Sequence, residues 1–131
     1  MKKFIHILVS IFVVGVVSAA AQTDRCYKND GLKTTNTISF TIKGNRIVDG
    51  EFQTGGYDTS TSSEVLGFKG TRSGNTIRVK FTGTTPEEFK RVGPLIWTYS
   101  RTTLRVRVYG KNYVTKKCGR YMAVYKKCKE I

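Results

Sequence analysis

Imidazole, thiol and paired carboxylates do most of the chemistry available to a small protein, and this chain is short of the first. Its only histidine, His6, lies in an apolar leader, so the rest has no imidazole for metal binding, general acid-base work or nucleophile activation. A Ser or Cys nucleophile would need a lysine or an N-terminal amine as base, and no Ser-x-x-Lys motif is present. Glu87 and Glu88 are adjacent, but consecutive helical residues do not face one another, and Glu88 stands three places after Thr85 as a capping-box acid. Gly67 to Gly74 is glycine-rich, yet Lys69 is not followed by Ser or Thr and the run leads into a strand, unlike a phosphate loop. Asp49 with Glu51, or Asp58, is too thin a set for calcium, and carboxylate-only glycoside hydrolysis needs a long cleft. The expectation is a protein without catalysis, metal or cofactor.

What the chain has instead is positive charge, unevenly placed. From Gln22 to Glu88 there are nine basic and eight acidic residues; from Phe89 to Ile131 there are twelve basic residues and only Glu130 against them. A charge so divided implies a focused anion-attracting surface in the last third of the chain. Arg105 and Arg107 alternate with Leu104, Val106 and Val108, so if the apolar set faces a core the arginines form an exposed ladder. Arg101, Lys111, Lys116, Lys117, Arg120, Lys126 and Lys127 extend it. Such a surface suits phosphate, sulfate or carboxylate groups; lysines on strands also block edge-to-edge aggregation. Lys28 and Lys33, in the near-neutral part, are expected to matter much less. Tyr109, Tyr113, Tyr121 and Tyr125 lie among the basic residues and could stack bases, but strand tyrosines are more often packing residues, and nucleic acid is disfavoured for an exported protein. Phe89, Leu95 and Trp97 could line an apolar pocket at the mouth of a barrel.

Three cysteines, Cys26, Cys118 and Cys128, predict one disulfide and one leftover thiol in an oxidising compartment. Gly119 to Lys127 reads as a strand, and nine extended residues reach about 30 Å. A disulfide needs Cα atoms within about 7 Å, so Cys118 and Cys128 cannot pair. Cys26 must then be one partner. Antiparallel closure, which sets the start of the chain beside the end of the last strand, favours Cys128 as the other, with Cys118 the alternative.

These residues are carried by segments with a period of two. Ile38, Phe40 and Ile42 alternate with polar residues up to Gly44-Asn45, and Val48, Gly50 and Phe52 continue beyond it, which is a hairpin signature. A second unit runs from Val65 through Ser73-Gly74-Asn75 to Phe81, and a third from Leu95 through Val108 to a turn at Gly110-Lys111-Asn112, before a last strand, Arg120 to Lys127. Thr85-Pro86 and Glu88 predict a short helix near 85–92, stopped by Gly93. Gly50, Gly67 and Gly70 mark bulges or barrel corners. The pattern predicts an all-β domain, a small antiparallel barrel or sandwich of about seven or eight strands built from successive hairpins.

Lys2 and Lys3, the apolar run Phe4 to Val17 and Ala19-Ala20-Ala21 have the order of a secretory signal peptide. Removal of residues 1–21 would leave a single domain, 22–131; the alternative is an uncleaved anchor of 18 residues, Phe4 to Ala21. No Asn-x-Ser/Thr acceptor occurs, which leans towards a bacterial periplasmic or secreted protein. In size, leader, hairpin succession and terminal cysteine the chain resembles the lipocalin-like, or calycin, group of secreted meander barrels. That resemblance implies a carrier of a small apolar ligand inside the barrel. It assigns no ligand-binding residue, because the group's Gly-x-Trp is absent and the sole tryptophan is Trp97. The functional expectation from the residues is recognition of an acidic polysaccharide, a lipid head group or an acidic protein by the basic surface; the alternatives are the carrier and a structural or inhibitor protein acting by protein contact.

Overall fold

A computed structural model describes residues 22–30, 34–56, 64–112 and 114–129. The proposed signal peptide, Lys33, Asp58, Tyr113 and Glu130 lie outside the described residues. Eight strands follow one another in sequence and in space: β1 (Gln22–Asp30), β2 (Thr34–Lys43), β3 (Arg46–Gly56), β4 (Glu64–Ser73), β5 (Thr76–Phe81), β6 (Leu95–Tyr99), β7 (Thr103–Lys111) and β8 (Cys118–Lys127). Each pairs antiparallel with the next and β8 returns to β1, closing a meander barrel. Closure leaves no open sheet edge between neighbours.

Alternation sets which face is buried. In β5 Ile77, Val79 and Phe81 are buried and Thr76, Arg78 and Lys80 exposed; in β7 Leu104, Val106 and Val108 are buried while Arg105 and Arg107 are exposed. Gly44 and Gly74 take positive φ in the two-residue turns that join β2 to β3 and β4 to β5, as tight hairpins require. β3 carries an extra residue: its register shifts between Ile47 and Gly50, with Asp49 left-handed at φ 51°. Gly50 is essential to this bend, because a Cβ there would drive into the ring of Phe68.

Inside, rings meet from end to end, with Tyr27 against Phe40, Phe40 against Phe68, Phe68 against Trp97 and Trp97 against Phe89, at centroid separations of 6.0, 6.3, 5.4 and 5.5 Å. Near one end the buried Tyr27 donates its hydroxyl hydrogen to the Ser100 carbonyl at 2.7 Å, so the ring enters the core without stranding its polar tip.

The connection between β5 and β6 departs from the predicted helix. It forms only a 3₁₀ turn, Glu87–Phe89, preceded by Pro86 in an extended conformation (ψ 144°) and with no side-chain cap. Three residues are too few for a capping box, and Glu87 instead pairs with Lys90 at 2.8 Å. The turn's product is the position of Phe89, 2% exposed and in ring contact with Phe52, Phe81 and Trp97.

Cys26 and Cys128 are disulfide-bonded with Cα atoms 5.4 Å apart, the pairing that antiparallel closure favoured, and Cys118 is a free, exposed thiol. Among the described residues no helix is long and apolar enough to cross a membrane.

Candidate anion-binding face

The strand sequences divide the barrel electrically. β1 to β4 carry six basic and five acidic residues. β5 to β8 carry eight basic residues and no acidic one. Arg105 and Arg107 point outward from the middle of β7, opposite Val124 and Met122 of β8. Arg78 of β5, opposite Ile96 of β6, brings the same charge from the other side. Arg78 and Lys80 are exposed on β5, and the strand order β5-β6-β7 makes them neighbours of the ladder.

The other predicted residues spread along the barrel wall. Arg101 lies in the turn before β7, and Lys116 and Lys117 in the turn after it; all three are exposed. Lys111 stands opposite Cys118 at the end of β7, which runs on through Lys111 so that the turn falls beyond the predicted Gly110-Lys111-Asn112 position. Asn112 organises that turn by accepting the Val114 N–H at 2.9 Å. Arg120 donates from Nε to the Arg91 carbonyl at 3.2 Å, while the Arg91 guanidinium lies 5.2 Å from the Tyr109 ring centre. The nine residues of β7 span about 30 Å, so the basic residues form a long strip. Among the described residues the ion pairs are Lys28–Asp30 and Lys90–Glu87, and none of the strip's charges is in one.

One expectation changes on this geometry. Lys28 is not remote from the basic surface, because closure sets it opposite Lys126. The described tyrosines lie on different faces: Tyr109 pairs with Arg120 on the outer face, whereas Tyr125 is buried beside Leu104 and Tyr121 shares its inward side. Of the residues considered for an apolar pocket, Phe89 and Trp97 are buried against each other. Leu95 and the edge of Phe89 line an open depression of about 510 Å³ with Thr84, Thr85 and Lys90.

A cavity of about 450 Å³ lies beside the 3₁₀ turn, lined by Asn36, Glu88, Arg91, Tyr109 and Tyr121 among others. Burial raises the Glu88 carboxyl above its ordinary pKa. Burial first, and the Glu88 charge second, push the Tyr125 hydroxyl far up, so it stays protonated at any ordinary pH. Glu87, at the surface, moves the other way, lowered by its hydrogen bond to Lys90.

No family model, no curated protein and no solved structure matches this chain. Its function must be argued from the barrel and its charge.

Proposed function

We propose that the chain is an exported, non-catalytic binding protein that recognises an anionic partner through the outer face of β5 to β8. The observation that carries this reading is four consecutive strands with eight basic residues and no acidic one. Arg78, Arg105 and Arg107 are planar donors suited to sulfate, phosphate or carboxylate, and a long strip suits a polymer or an extended charged surface better than a compact solute. Kinship with lipocalin-like barrels is favoured by the meander and by the disulfide that ties its ends; the disulfide favours export. The packed rings around Trp97 favour the wall over the interior as the place of binding.

Dextran sulfate tests the reading. Affinity falls steeply between low and moderate salt, and Arg105→Glu with Arg107→Glu lowers it about tenfold or more. Lys43→Glu with Arg46→Glu, the same charge change on the β2–β3 hairpin, lowers it by about twofold or less. Equal losses from the two pairs would mean that total charge alone attracts the polymer.

A further inference from the structure

Where the barrel closes, β1 and β8 share two register pairs, Tyr27 with Lys127 and Lys28 with Lys126. The Cys26–Cys128 disulfide and a 3.0 Å hydrogen bond from the Cys128 N–H to the Cys26 carbonyl fasten the seam on one side. On the other, Asn29 Nδ2–H donates to the Val124 carbonyl at 3.0 Å. A groove of about 660 Å³ follows this seam, and Lys28, Lys126, Lys127 and Lys129 all line it. Four ammonium groups from opposite ends of the chain therefore meet around one depression.

Like charges directly opposite in a ladder destabilise it, and Lys28 against Lys126 is such a pair. Among the described residues the one carboxylate lining the groove is Asp30, which is already engaged by Lys28 at 3.7 Å and by the Thr35 hydroxyl at 3.2 Å. Among the described residues Lys126, Lys127 and Lys129 are in no ion pair.

We infer that the seam groove is a binding site for a phosphoryl group, held by Lys28, Lys126, Lys127 and Lys129. An ammonium is a compact point charge with rotatable donors, able to share a phosphate without the planar match that arginine needs. A multiply charged oxyanion between Lys28 and Lys126 turns their repulsion into attraction, and a single carboxylate neutralises less of it. The groove differs in kind from the arginine strip, because it is a depression lined by residues of both β1 and β8. This inference rests on the proposed anionic partner and narrows its chemistry to a phosphorylated one.

The test is calorimetric titration of the oxidised protein with inorganic pyrophosphate at low salt. Lys126→Gln with Lys129→Gln is expected to weaken binding about tenfold or more, since charge-assisted contacts are lost. Lys43→Gln with Arg46→Gln on the β2–β3 hairpin, an equal change of charge outside both the groove and the arginine strip, is expected to leave it within about twofold. All four positions are exposed, and unchanged circular dichroism and Trp97 emission confirm that both variants fold. Equal losses in the two variants overturn the site. Failure of the unaltered protein to bind pyrophosphate while it still binds dextran sulfate overturns the groove and leaves the proposed function standing; failure to bind either overturns both. Phosphatidic acid vesicles then identify the source: capture competed by pyrophosphate places the phosphoryl group on a lipid, and pyrophosphate binding without capture places it on a soluble molecule.

Discussion

Glu88 illustrates how one side chain can tax its own fold. Burial raises its pKa, so the folded protein holds that proton more tightly than the unfolded chain does. The linkage has a definite sign: protonation favours folding, and stability is lost as pH rises from the ordinary value of 4.5 through the raised one. Glu88→Gln is therefore expected to raise the melting temperature at pH 7 and to change it little well below pH 4.5. A lower melting temperature at pH 7 would mean that the ionised carboxylate makes a favourable contact that outweighs its burial. The arginines at 105 and 107 are the opposite case, since exposure leaves them hydrated and available. Their Glu variants should lose polyanion affinity while stability moves by less than about 0.5 kcal/mol.

At the scale of elements, the connection from β5 to β6 matters more than its single turn suggests. Phe89 is its one ring in the core, touching Phe52, Phe81 and Trp97. Phe89→Ala is expected to cost about 3 to 5 kcal/mol in urea unfolding and to shift Trp97 emission to the red as water gains access. A loss below about 1 kcal/mol would mean that the surrounding rings collapse into the space. The sequence disclosed the hairpins because Ile38, Phe40 and Ile42, or Ile77, Val79 and Phe81, each supply a clean period of two beside a Gly-Asn turn. It did not disclose β1, in which Tyr27 is the only buried residue and no alternation can be read. It also overstated the helix, since residue preferences at Thr85, Pro86 and Glu88 act locally while the position of Phe89 is fixed by the rings around it. The arginine ladder was legible for the same reason as the hairpins. The meeting of Lys28 with Lys126 was not, because the expected Cys26–Cys128 closure brings the two ends together without recording their register.

For the molecule as a whole, closure is secured covalently. The disulfide joins residues 102 positions apart, and a loop of that size removes about 4 to 5 kcal/mol of unfolded-state entropy in the simple chain model. Cys26→Ser with Cys128→Ser should lower the unfolding free energy by up to about that amount, whereas Cys118, exposed and unpaired, should react with a thiol reagent in the native oxidised protein and account for its entire labelling. More than one reactive thiol per chain would refute the pairing. The unequal loading of the two halves of the wall, six basic and five acidic residues on β1 to β4 against eight basic and none on β5 to β8, has a kinetic corollary. It gives the barrel a permanent electric moment across its axis. Near an anionic surface such a body experiences a torque as well as a pull, and it turns β5 to β8 inward before contact is made. Encounters then arrive already oriented, so association should be fast at low salt and slow sharply as ions shorten the reach of that torque.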